Sequence, residues 1–265
     1  MQWRWSGFAA WAVLAAVSWG GGAYAQGGGR ARGGGQPPAY VPEDHRPPLF
    51  LREDWKHVPP PDFPVAVGER PLVAYPLSQN AVTAPHVDVK IYGETKQGVG
   101  PDSGVMVSHH DSPKDDPTFI YMGGCLTPCA VALRDRDNYV DLTGLAKIRW
   151  RTKQNGFHQV HLIVKLADGT WLVGDYGQAA TTDWNENEFS IIDVRWRYFS
   201  VDKVVTMKSP DWVLDPDLKK VDEIGFTDLM PGNLADGGHG SAGTSRVDWI
   251  EVYGNPVKRD SSNSN

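Results

Sequence analysis

The 265 residues contain only two cysteines, Cys125 and Cys129. That excludes a disulfide-rich scaffold and a four-cysteine zinc site. Beyond the N-terminus no apolar run reaches the ~20 residues that a bilayer-spanning helix needs, so no integral membrane domain is expected. Positive charge is in deficit, with 26 Lys and Arg against 32 Asp and Glu and a net charge of −6. This argues against a general nucleic-acid binder. Apolar residues hardly anywhere recur with the period of a helix. There is no P-loop spacing, no nucleophile elbow and no HExxH.

The first residues carry an export pattern. Arg4 is followed by the apolar stretch from Phe8 to Trp19, then by Ala23-Tyr24-Ala25, small residues where a signal peptidase cuts. Residues 1–25 therefore read as a cleavable signal peptide that leaves Gln26 first. A membrane anchor is the alternative, and the run is short for it. Residues 26–47 are rich in Gly and Pro and read as a disordered spacer. Arg30 and Arg32 lie in that glycine tract, but an exported protein seldom meets RNA, so no nucleic-acid partner is expected. Residues 258–265 read as a disordered tail. The expected location is secreted or periplasmic. In such a compartment Cys125 and Cys129 favour a disulfide across a tight loop, and a zinc pair completed by His109 and His110 is the alternative.

Residues 48–257 suffice for one well-cored domain. Their pattern is one of short strands separated by turn clusters. Ala146 to Thr152 alternates, with Ile148 and Trp150 on one face and Lys147, Arg149 and Arg151 on the other. Asn155-Gly156 marks a turn, and His158 to Lys165 a mostly apolar strand. Asp168-Gly169 is a hairpin signal before Thr170 to Val173. Phe189 to Tyr198, Val221 to Thr227 and Arg246 to Tyr253 complete the strands. Strands at this spacing without intervening helices indicate an all-β antiparallel sandwich or barrel.

The order of four segments resembles the galactose-binding-like jelly roll found in carbohydrate-binding modules and in complex I intermediate-associated domains. These are Tyr139-Val-Asp-Leu-Thr-Gly-Leu-Ala-Lys-Ile-Arg-Trp-Arg-Thr152, Phe189-Ser-Ile-Ile-Asp193, Asp217-Leu-Lys-Lys-Val-Asp-Glu-Ile-Gly-Phe226 and Val247-Asp-Trp-Ile-Glu-Val-Tyr-Gly254. The resemblance covers roughly 138–254; residues 48–137 match less well. It implies a β-sandwich with a carbohydrate ligand and does not by itself imply catalysis. It also implies a structural calcium, for which Glu53 and Asp54 pair with Asp248. Ca²⁺ takes roughly six to eight oxygen ligands, several from carboxylates.

Eleven Trp and nine Tyr fill sandwich cores or form platforms for sugar rings. Trp171, Tyr176 and Trp184 are the expected stacking residues, whereas Trp150, Trp196 and Trp249 read as core. Arg149, Arg151 and Asp175 are the expected polar contacts. Arg149, Arg151, His161, Lys165, Arg195 and Arg197 would form one basic row if their strands share a face, and arginine forks suit an acidic sugar. The loop from Val107 to Pro117 holds His109 and His110 among aspartates, close to Tyr121. Histidine and tyrosine on a jelly roll are similar to the pair some polysaccharide lyases use. On that alternative His109 or His110 is the base, Tyr121 the acid, and Arg149 or Arg151 the neutraliser of a uronate. The glycine-rich loop 227–243, with Asp228, Asp236 and His239, is a further candidate. An envelope structural or assembly protein is the remaining alternative.

Overall fold

Alternation builds the sheets. In the computed structural model, which describes residues 45–93, 104–110, 115–207, 212–232 and 244–259, every second residue of 147–155 is buried. The strands in chain order are β1 (Leu49–Glu53), β2 (Ala66–Val67), β3 (Arg70–Pro71), β4 (Ala74–Pro76), β5 (Val87–Tyr92), β6 (Gly104–Ser108), β7 (Phe119–Gly124), β8 (Cys129–Asp135) and β9 (Asn138–Asp141). They continue with β10 (Lys147–Asn155), β11 (Val160–Leu166), β12 (Trp171–Gln178), β13 (Asn185–Ser190), β14 (Trp196–Ser200), β15 (Val205–Thr206), β16 (Val221–Asp228), β17 (Thr244–Tyr253) and β18 (Asn255–Lys258). The signal segment 1–25, most of the spacer, the tail from 260 and the loop residues 233–243 lie outside the described residues.

A seven-stranded sheet runs β13-β10-β17-β7-β6-β4, with β1 beside β17. A nine-stranded sheet runs β15-β14-β12-β11-β16-β8-β5, with β9 and β18 off that path. The pairs between these strands are antiparallel. The fold is therefore an all-β antiparallel sandwich. Ile148, Trp150, Val247, Ile250 and Val252 from one sheet share a core with Val131, Leu133, Leu162, Ile224 and Phe226 from the other. Burying each such side chain stabilises the fold by about 1.5–3 kcal/mol. A smaller cluster of Ile163, Val173, Phe199 and Val204 forms on the opposite side of the nine-stranded sheet. Residues 48–137, the poorer match to the resemblance, contribute strands to both sheets.

The chain changes sheet at short connections, and two expectations are corrected there. The segment Phe189 to Tyr198 is not one strand. It breaks at Ile191–Asp193, a single 3-10 turn in which Val194 N–H donates to Ile191 O (3.1 Å). Burial of Ile191 in the core fixes this break. Nor do β10 and β11 share a face, because Asn155-Gly156, with Gly156 at φ 67, carries the chain from one sheet to the other. The expected hairpin at Asp168-Gly169 is present, joining β11 to β12 with Gly169 at φ 92. Cys125 and Cys129 form a disulfide in the crossover from β7 to β8, so a zinc pair is excluded. Close packing governs β16, where a Cβ on Gly225 would lie 1.9 Å from Val131 O of β8.

Candidate functional site

The outer face of the seven-stranded sheet gathers most of the chemistry. Ile148 and Trp150 point into the core, so Lys147, Arg149, Arg151 and Lys153 point out. Across the ladder they face Tyr253, Glu251, Trp249 and Arg246 of β17. The register shifts between Arg151 and Thr152, leaving Asp248 as an extra residue. That bulge turns Trp249 outward, so the expectation that it belongs to the core is corrected. Trp249 is nonetheless buried, because Arg52 and Arg149 lie 4.8 and 5.7 Å from its ring centre.

Four aromatic rings on this face, those of Trp249, Tyr253, Trp184 and Tyr121, each have a cation beside them. Lys147 lies 4.9 Å from Tyr253, Arg151 5.5 Å from Trp184, and Arg246 5.6 Å from Tyr121. Carboxylates lie between the cations. Glu251 accepts from Arg52, from Arg149 (3.1 Å) and from the Tyr253 hydroxyl (2.9 Å). Asp248 accepts from Arg151 at 2.8 Å. Burial pushes the Asp248 carboxyl up to about 6, against the opposing pull of Arg151.

At one end of the face the loop before β7 closes onto the loop before β13. Asp116 accepts from Trp184 Nε1 at 3.0 Å and bonds His110 Nδ1 at 2.8 Å. The His110 ring lies 5.2 Å from Phe119, which lies 5.4 Å from Trp184. Tyr121 follows Phe119 on the same side of β7 and is the register partner of Arg246. Arg246 has no carboxylate within ion-pair distance among the described residues, and burial depresses its basicity while Tyr121 and Asp116 oppose this. The structure thus brings together His110, Tyr121, Arg151 and Trp184, with Arg149 further along the same face. Asp116, Arg246, Trp249 and Tyr253 were missed as site residues. Arg246, Trp249 and Tyr253 all lie on β17, where the two rings alternate visibly with charged neighbours, but nothing in the sequence marks the bulge or the reach of Asp116.

The other expected residues lie elsewhere. His161 sits on the outer face of the nine-stranded sheet, its Nδ1 3.2 Å from Gly174 O, and burial lowers its pKa. Trp171 is on that sheet as well, edge-on to Tyr92 at 5.0 Å. Lys165, Lys90 and Tyr92 there all donate to Glu223. Asp175 holds Arg195 through its N–H and Nε (2.9 and 2.7 Å). Tyr176 stacks on Phe189 at 4.4 Å against the core. The single basic row is therefore split between two sheets, because the strands that carry it do not pair. His109 is turned to His57, 5.9 Å away, whereas its neighbour His110 joins the face.

The three carboxylates assigned to calcium have separate duties. Glu53, fully buried, accepts from Trp55 N, Thr83 N, Thr83 Oγ1 and Ala84 N at 2.7–3.1 Å. Asp54 binds Arg52, and Asp248 binds Arg151. Oxygens so occupied do not fit a calcium site. Asp228 is also buried, accepting from Ser245 Oγ (2.6 Å) and bonding His158. Asp236 and His239 of the same loop lie outside the described residues.

No family model matches this chain, and no curated protein matches it. Solved structures similar to it include a family 11 carbohydrate-binding module of a cellulosomal cellulase of Clostridium thermocellum, at 18% identity over 63% of this chain and 81% of that one, TM-score 0.33. A family 11 module from the same organism, in complex with a β-1,3-1,4-mixed-linked tetrasaccharide, is similar at 16% identity over 69% of this chain and 96% of that one, TM-score 0.37. An exo-β-agarase is similar at 12% identity over 69% of this chain and 24% of that one, TM-score 0.35. At these levels no ligand and no residue role carries across.

Proposed function

We propose that the outer face of the seven-stranded sheet binds carbohydrate, and that the protein does so outside the cytoplasm. The observation that carries this reading is the row of Tyr121, Trp184, Trp249 and Tyr253 on one sheet face, each beside a cation. Sugar rings offer apolar C–H faces to aromatic platforms and hydroxyls to the groups around them. Trp184 is the ring best placed to stack, since it is only partly buried and Asp116 fixes its plane. Arg149 and Arg151 each already hold a carboxylate, so they recognise hydroxyls with their remaining N–H groups. An acidic sugar is best received at Arg246, which holds none among the described residues. The export pattern of residues 1–25 and the disulfide support the extracytoplasmic location.

Retention on immobilised glycans tests this, with β-glucans as the neutral arm and polyuronates as the acidic arm. The protein is retained on at least one, and Trp184→Ala weakens retention about tenfold, the loss of one stacking contact of ~1.4 kcal/mol. Failure to retain the protein on either panel overturns the reading.

One observation favours a second reading, eliminative cleavage of a uronate-containing glycan. His110, oriented by Asp116, shares the end of the face with Tyr121 and with Arg246, which has no carboxylate within ion-pair distance among the described residues. Arg246 would neutralise the sugar carboxylate, and His110 would remove the proton α to it. The C–O bond at the β position would then break, the departing oxygen taking the Tyr121 proton and a C=C bond remaining. Polyuronate incubated with the protein then gains ultraviolet absorbance, and Tyr121→Phe abolishes the gain. An unchanged polymer leaves binding alone.

A further inference from the structure

The turn between β10 and β11 presents a ring that the fold does not use. Phe157 is 90% exposed and adds almost nothing to the core. A single exposed apolar side chain carries no message alone; the setting of this one does. The turn is pinned on both sides of it. Asn155 Oδ1 accepts from Thr244 N (3.1 Å) and from Arg246 Nη1 (3.4 Å). His158 is turned inward, where its Nδ1 meets Asp228. Both residues of that pair are buried, and Asp228 accepts as well from Ser245 Oγ (2.6 Å) and Met230 N (3.1 Å). Gly156, at φ 67, supplies the reversal between the two anchors. The Phe157 ring therefore stands in water on a backbone tied to β16 and β17. An aromatic side chain on so fixed a mount loses little freedom when a ligand covers it.

Its place continues the outer face of the seven-stranded sheet. Asn155 ends the outward row of β10 that begins with Lys147. Its partner Arg246 lies beside Tyr121, so Phe157 follows the end of the face where those two side chains lie. Trp184 stands further back, beside Arg151 and Lys153. The four residue steps from Arg151 to Asn155 span about 13 Å. One sugar ring cannot touch Trp184 and Phe157 together, whereas an extended oligosaccharide reaches both. We propose that Phe157 is a distal stacking platform of the glycan face, taking a sugar ring several units along the chain from the one on Trp184, so that the protein selects long oligosaccharides over short ones. This rests on the carbohydrate reading of the face and adds to it a residue and a length requirement.

The test is calorimetric titration of the full chain with cello-oligosaccharides and with oligogalacturonides, each as the di-, tetra- and hexasaccharide. The parent binds one series, and its affinity rises with length. Phe157→Ala binds the hexasaccharide about tenfold more weakly than the parent and the disaccharide equally well. Phe157→Tyr, which keeps a ring, binds both as the parent does, and Trp184→Ala is weakened at every length. Both Phe157 variants keep the parent's melting temperature, since the side chain lies outside the core. If Phe157→Ala binds the hexasaccharide as the parent does while Trp184→Ala is weakened, this proposal is overturned and the carbohydrate reading stands. A parent that binds neither series overturns both. Phosphatidylglycerol vesicles that hold the parent and release Phe157→Ala, with hexasaccharide affinity unchanged, assign the turn to a membrane surface and overturn the proposal likewise.

Discussion

Asp248 shows how a single inserted residue shapes the face. The bulge places its carboxyl beside Arg151 yet largely out of water. Burial outweighs the ion pair and lifts its pKa to about 6. A carboxylate raised in the folded state stabilises the fold most when protonated, and that contribution is lost as pH rises through about 6. Asp248→Asn removes the cost while keeping an acceptor for Arg151. The variant and the parent should therefore be equally stable at about pH 3, below the carboxyl's ordinary range, with the variant more stable by about 1–3 kcal/mol near pH 7.5. Urea unfolding at the two pH values checks this, and a variant less stable at the higher pH contradicts it. Trp249 belongs to the same lesson. Its alternation with charged neighbours reads as core, but one extra residue reverses the face, and no residue type announces a bulge.

At the scale of elements, β1 is held to the loop before β5 by one buried acid. Glu53 accepts from three backbone N–H groups and from the Thr83 hydroxyl. Glu53→Gln replaces one oxygen with a donor that faces other donors, at a cost of about 2–3 kcal/mol. Denaturation midpoints test this; an unchanged midpoint would show that the loop is held by its apolar packing alone. Strands themselves were largely legible. The β10 pattern named its own core and surface residues, and Asp168-Gly169 named its hairpin. What was not legible was which strands neighbour each other. A turn such as Asn155-Gly156 has the same chemistry whether it closes a hairpin or carries the chain between sheets. The basic row therefore could be listed residue by residue but not placed. Half of the candidate site followed from alternation, as with Arg149 and Arg151. The other half, Asp116 joining His110 to Trp184, depends on two loops meeting across a long stretch of sequence.

For the whole molecule, the two sheets divide the labour. One outer face carries rings and paired charges; the other is partly covered by its own apolar cluster and carries His161, Trp171 and the Glu223 network. The disulfide ties the crossover between the sheets, closing a loop with a sequence separation of 4. Replacing both cysteines with serine should cost about 2 kcal/mol by loop entropy and leave the glycan face intact. A melting temperature that falls under reducing conditions only in the parent confirms it. The proposed export would link this to location, since such a bond persists in an oxidising compartment. Protein secreted from a bacterial host should begin at Gln26, which N-terminal sequencing reads directly.

On the proposed function, one face of the sandwich, and not the other, holds carbohydrate. The most direct measurement compares Trp184→Ala with Trp171→Ala on the glycan that retains the parent, after melting curves show both variants folded. Trp184→Ala is expected to lose about tenfold in affinity and Trp171→Ala to bind as the parent does. Loss in Trp171→Ala with full retention in Trp184→Ala would contradict it.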